Sequence, residues 1–122
     1  MAENDLLDLG LRKTLKDQVL YLAKLAKSAG LNGIVASAQE AKVIRWACGE
    51  DFLIVTPGIR PGSRGDPFSA GFQAARDDQQ RTATPSEAIR AGADYIVIGR
   101  PILEAPDPTQ VVREVLQDCA QV

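Results

Sequence analysis

Three short runs of unbroken apolar residues, each set between helical patterns, limit what this chain can become. The runs are Gly33-Ile34-Val35-Ala36, Phe52-Leu53-Ile54-Val55 and Tyr95-Ile96-Val97-Ile98. A strand with one wet face alternates apolar with polar residues. Unbroken runs instead suit parallel strands covered on both faces. The stretches between them read as helices. Over 14–29, Leu15, Val19, Leu22, Ala23 and Ala26 recur at three- and four-residue spacing and build one apolar face, with Gly30 as a natural stop. Ser37-Ala38-Gln39-Glu40 predicts a capping box at the head of a helix that runs to about Cys48, with Val43, Ile44 and Trp46 packing toward the sheet. Thr84-Pro85-Ser86-Glu87 predicts a second box, with Pro at the first helical position and an end near Gly92. Asp107-Pro108-Thr109-Gln110 opens a last helix whose inner face takes Val111, Val112, Val115 and Leu116. The acidic opening, Met1 to Gly10, reads as a loop.

The order is therefore helix, strand, helix, strand, long connection, helix, strand, helix. Such alternation means right-handed βαβ units and a parallel sheet, an α/β fold. Three parallel strands cannot close a barrel, and they leave two apolar edges open. At 122 residues the chain is one domain in size, about half of the roughly 250 residues of an eight-fold β/α barrel. Arithmetic and topology agree on a single partial domain over 1–122, the last part of something larger.

Composition removes several function classes. Fourteen basic against sixteen acidic residues give a net charge of −2, with no basic run, so the expectation is no nucleic-acid partner. No apolar stretch approaches the ~18 residues of a membrane span, and the expectation is no secretory leader. Cys48 and Cys119 match no metal spacing and read as free thiols in a reducing cytoplasm. There is no His, which removes the Ser-His-Asp triad, His-ligated metals and the commonest general base.

What chemistry the chain carries gathers at strand ends, where a β/α barrel places its active face. Thr56-Pro57-Gly58-Ile59-Arg60-Pro61 follows the second strand, and Ile98-Gly99-Arg100-Pro101 follows the third. Gly58 and Gly99 lack Cβ, so their backbone N–H groups can approach an anion, and Pro57 breaks the strand beside them. Arg100 offers a planar fork that fits phosphate, and Arg60 could add a second charge. Gly99-Arg100-Pro101 also reads as a strand terminus with a surface Arg. The connection over 57–84 far exceeds the usual 2–6 residues. Its Arg76-Asp77-Asp78-Gln79-Gln80-Arg81 reads either as a solvated charge run or as a lid in which Gln79 donates an amide hydrogen bond to phosphate. Lys16-Asp17 read as a solvated helix face, Tyr95 as packing, and Asp78 and Asp94 have no evident acid partner.

Taken together, Val55-Thr56-Pro57-Gly58-Ile59-Arg60-Pro61, Asp78-Gln79, Arg81, Thr84-Pro85 and Ala91-Gly92-Ala93-Asp94-Tyr95-Ile96-Val97-Ile98-Gly99-Arg100-Pro101-Ile102 resemble the orotidine 5′-phosphate decarboxylase family. Leu31 to Glu40 resembles that family's sixth strand and following helix, and Asp5 to Gly10 the segment past the fifth strand. The resemblance covers essentially the whole chain. It implies the C-terminal part of a TIM-type (β/α)8 barrel, with these three strands as the sixth to eighth. It implies a lyase of pyrimidine biosynthesis that converts orotidine 5′-monophosphate to uridine 5′-monophosphate and CO2, without metal or organic cofactor, and typically dimeric. On that resemblance Arg100 and Gln79 hold the substrate phosphate, Arg60 assists, and Pro57, Gly58 and Gly99 shape the loops. Two features depart from the family: Asp77 stands where a Gly is usual, and the loop is longer around Gly65 to Ala75. The family's Asp-x-Lys-x-x-Asp stretch is absent, so no catalytic residue is assigned. The expectation is a phosphate-gripping portion, inactive alone, that forms a homodimer or associates with the missing barrel segment. The alternatives are a non-enzymatic phosphate-ligand or assembly module and, more weakly, another phosphate-binding barrel enzyme.

Overall fold

The structure is a computed structural model that describes residues 2–62 and 82–122. The described elements are α1 (Glu3–Asp8), α2 (Leu15–Ser28), β1 (Gly33–Val35), α3 (Ala38–Cys48), β2 (Leu53–Thr56), α4 (Pro85–Ala91), β3 (Tyr95–Ile96), α5 (Arg100–Leu103) and α6 (Pro108–Ala120). The three strands form one parallel sheet in the order β1-β2-β3, as the alternation implies. Ile34 stands opposite Ile54, and Thr56 opposite Ile96. The third apolar run yields a shorter strand than expected, although the Val97 N–H still donates to the Thr56 carbonyl at 2.9 Å.

The pleat divides these residues between two faces. Ile34, Ile54, Thr56, Ile96 and Ile98 turn to the helices. There Ile54 joins Ala23, Ala41, Ile44, Cys48 and Phe52 in one core cluster. Ile96 and Ile98 pack against both the Ile59–Ala83–Ala88–Ala93 cluster and the Ala105–Val111–Val115 cluster. The other face carries Val35, Leu53, Tyr95 and Val97, all exposed, with Val35 at 70%. This corrects the expectation of cover on both faces, and with it the packing role given to Tyr95. The apolar runs are suited to two covered faces, but only one is covered here.

The helix boundaries follow local chemistry. Thr14 caps α2 by accepting the Asp17 N–H at 3.1 Å. The Thr84 box forms in full: its hydroxyl accepts from Glu87 N–H (3.2 Å) and the Glu87 carboxylate accepts from Thr84 N–H (3.0 Å). The Ser37 box does not. There the hydroxyl donates to the Glu40 carboxylate, because Glu40 is drawn into the interior at 2% exposure. The opening residues form a short helix, not a loop; Asp5 accepts the Ala2 N–H at 2.7 Å and Leu6 is buried. Trp46 is 86% exposed, contrary to expectation. The inner line of α3 is Ala41, Ile44 and Cys48, and a residue two places from Ile44 sits about 200° round the helix. Likewise Val111 and Val115 face in, while Val112 and Leu116 face out.

At the N-terminal side of the sheet, one guanidinium ties three elements together. Arg45 Nη1 donates to the carbonyls of Gly49 (3.0 Å), Glu50 (3.1 Å) and Phe52 (2.5 Å). Its Nη2 donates to the Gly92 carbonyl and to Asp94 Oδ2, both at 2.6 Å. The same carboxylate oxygen accepts the Ile54 N–H at 2.9 Å. Partial burial raises the Asp94 pKa, but the Ile54 N–H and Arg45 outweigh it and hold the carboxyl below its ordinary value. No described helix is long and apolar enough to cross a membrane.

Candidate functional site

The C-terminal ends of β2 and β3 lie side by side, so the two stretches singled out in the sequence leave the same edge of the sheet. After β2, Gly58 adopts φ +73°, the left-handed region that an L side chain enters only with strain. That turn reverses the backbone into a small parallel bridge between Ile59 and Ala83. Arg60 N–H donates to the Ala83 carbonyl (2.9 Å), and Ala83 N–H donates to the Gly58 carbonyl (3.2 Å). The long connection therefore starts and finishes at one stitched neck. Pro57 is half-buried there, and Arg60 is only 7% exposed.

After β3, Gly99 precedes Arg100, the first residue of the four-residue helix α5. Arg100 is half-buried. Gly99 has φ −108°, and a Cβ built on it would meet nothing within 4 Å. Gly58 thus sits where backbone geometry favours glycine, and Gly99 leaves open space where a side chain would stand. Gln79 lies outside the described residues, as do Arg76, Asp77, Asp78, Arg81 and the stretch from Gly65 to Ala75. Thr56, which opens the first motif, is fully buried on the helix-covered face. Among the described residues its hydroxyl has no hydrogen-bond partner.

Two further residues shape the neck, and sequence reasoning missed both. Gln39, in the first turn of α3, donates its side-chain amide to the Thr82 carbonyl at 3.0 Å. Asp118, far along α6, accepts the Ser86 N–H at 2.9 Å and so adds a second carboxylate to the start of α4. Position after a strand end was the available signal for Gln39. For Asp118 there was none, since the contact spans 32 residues. Among the described residues no group of three His, Cys, Asp or Glu side chains could hold a metal ion.

Solved structures share this fold. A crystal structure of orotidine 5′-phosphate decarboxylase from Lactobacillus acidophilus superposes with a TM-score of 0.71 at 35% identity, covering 94% of this chain and 43% of that one. The Pyrococcus horikoshii decarboxylase, at 23% identity and a TM-score of 0.63, shares the fold. The three-stranded sheet with its helices is thus part of a β/α barrel. Curated relatives named orotidine 5′-phosphate decarboxylase match at 51% identity in Geobacter metallireducens, over 94% of this chain and 44% of the relative. The Wolbachia pipientis relative matches at the same identity over 96% and 47%. The chain therefore spans a little under half the length of the relatives it matches. With residues 1–115 also matching the family model, the chain belongs to the orotidine 5′-phosphate decarboxylase / HUMPS family.

Proposed function

We propose that this chain is the phosphate-gripping portion of an orotidine 5′-monophosphate decarboxylase, the lyase that yields uridine 5′-monophosphate and CO2. The observation that carries the reading is the shared strand edge. Gly58 to Arg60 and Gly99 to Arg100 leave adjacent, hydrogen-bonded strands on one side of the sheet. In this reading Arg100 grips the phosphate with its planar fork, Arg60 adds charge, and Gln79 donates an amide hydrogen bond from the connection. Gly58, Pro57 and Gly99 set the backbone around them. A phosphate held this far from the pyrimidine contributes binding energy that favours the transition state over the ground state.

The Asp-x-Lys-x-x-Asp stretch is absent from these 122 residues. The portion therefore lacks a proton donor for the carbanion left at the pyrimidine after CO2 departs. The chain alone is expected to show no turnover. Calorimetric titration with uridine 5′-monophosphate, with Arg100→Ala alongside, tests the grip. Hydrogen bonds to a charged group are worth about 1.5–3 kcal/mol, so the variant is expected to bind roughly 10- to 150-fold more weakly. Equal affinity of the two, or turnover by the pure chain, would sink the proposal. The uncovered sheet face favours a second reading, an assembly module without catalysis. A folded chain that binds no nucleotide yet associates through that face would support it.

A further inference from the structure

Arg60 is buried, so the place of its side chain follows the place of its backbone. That backbone is held through a short relay. The Arg60 N–H donates to the Ala83 carbonyl at 2.9 Å, and the Ala83 N–H donates to the Gly58 carbonyl at 3.2 Å. A further hold comes from the helix that follows β1. Gln39, in the first turn of α3, donates its Nε2–H to the Thr82 carbonyl at 3.0 Å, across 43 residues of sequence. Its neighbour Ala38 packs on the cluster of Ile59, Ala83, Ala88 and Ala93. Two consecutive residues of α3 thus bear on the neck, one through an apolar contact and one through a polar one.

The two contacts differ in what they fix. Apolar packing of a methyl group is non-directional, so Ala38 tolerates a slide along its neighbours. A hydrogen bond weakens steeply once its angle falls below about 120°. Gln39 therefore sets where the return limb of the neck stands against α3. Thr82 directly precedes Ala83, and Ala83 is the backbone partner of Arg60. A side chain as buried as Arg60 has little room to compensate for a displaced backbone. We propose that Gln39 is a positioning residue for the phosphate grip: through Thr82 and Ala83 it fixes where the Arg60 guanidinium stands, without touching the ligand. The positioning role rests on the phosphate reading above; the anchoring of the neck does not.

Two substitutions test it. Gln39→Met removes the donor and keeps the length and helix propensity of the side chain, whereas Gln39→Lys keeps a donor of similar reach. Gln39 is exposed, so neither should shift the urea midpoint. Amide hydrogen exchange, followed residue by residue, reads the anchor. In Gln39→Met the Arg60 and Ala83 N–H groups should exchange about 2- to 10-fold faster, the effect of losing one ordinary hydrogen bond. The Val97 N–H, bonded to the Thr56 carbonyl, should keep its rate. Gln39→Lys should return the neck to wild-type rates. Calorimetry with uridine 5′-monophosphate reads the consequence: Gln39→Met should bind about 2- to 10-fold more weakly than wild type. Unchanged exchange at Arg60 and Ala83, or equal nucleotide affinity of Gln39→Met and a wild-type chain that binds, would overturn this inference and leave the phosphate reading standing. A folded wild-type chain that binds no nucleotide would refute the phosphate reading and the positioning role with it.

Discussion

Replacing Arg45 by Ala should be among the most damaging single changes available in the described part of the chain, although the residue lies far from the strand-end edge. Its guanidinium is 13% exposed and makes five hydrogen bonds, to carbonyls of Gly49, Glu50, Phe52 and Gly92 and to the Asp94 carboxylate. The Gly49 and Glu50 carbonyls lie in exposed residues and can be rehydrated. The carbonyls of Phe52 and Gly92 lie in part-buried surroundings, and each loses a charged donor. At about 1–1.5 kcal/mol net for each of these two and about 1 kcal/mol for the partly exposed ion pair, the loss is about 3–4 kcal/mol. Against the ~5–15 kcal/mol of an ordinary domain that is a large share. Urea unfolding at pH 7 measures it. With a slope of about 2 kcal/mol/M, the midpoint should fall by about 1.5–2 M without a change of slope. Asp94→Asn should lose only about 1 kcal/mol, since the amide oxygen can still accept the Ile54 N–H. The pH dependence has a definite sign. The Asp94 pKa is lowered in the folded state, so its stabilisation is present above the ordinary carboxyl value and is lost as pH falls through the lowered one. The gap between wild type and Asp94→Asn should therefore close in acid. A midpoint for Arg45→Ala within 0.3 M of wild type, a threshold of roughly 0.6 kcal/mol, would refute the view that this side chain ties α3, β2 and β3 together.

The remaining expectations are local. A Cβ on Gly33 would lie 2.3 Å from the Leu53 carbonyl oxygen and 2.6 Å from its Cβ, so Gly33→Ala must push β1 off β2 and should destabilise by about 1–3 kcal/mol in the same urea assay. Thr84→Ala removes the acceptor for the Glu87 N–H and should lower stability by about 1 kcal/mol, read as a drop in thermal midpoint of roughly 4 °C.

Much of the architecture was legible because it rests on short-range signals. The box at Thr84 and the stop at Gly92 fixed helix ends that the structure reproduces. The apolar runs gave the parallel sheet, since no amphipathic strand reads that way. What failed did so where a residue's surroundings come from far along the chain. Ser37 has the right neighbours for a capping box, but the burial of Glu40 redirects its hydroxyl. Trp46 looks like core by composition, and only the angular offset from Ile44 turns it outward. Both covered faces were expected from hydrophobicity alone, which records what a surface is suited to and not whether anything lies on it. At the strand ends, position and guanidinium chemistry pointed to Arg60 and Arg100, and the structure added that Arg60 is buried and both leave the same edge. Asp118 was illegible because its partner sits 32 residues away with no periodic relation to it.

The stitched neck at Ile59 and Ala83 has a consequence for how this fold can vary. A loop anchored at two distant points transmits every change of its length to the elements that hold it. Here the chain returns to the point from which it left, so the excursion is already a closed ring in the polymer sense. The entropy of closing such a ring grows only with the logarithm of its length, about 0.6 kcal/mol for each doubling. By chain entropy alone, residues added between Arg60 and Ala83 therefore weigh little on β2 or α4 while the two roots stay in register.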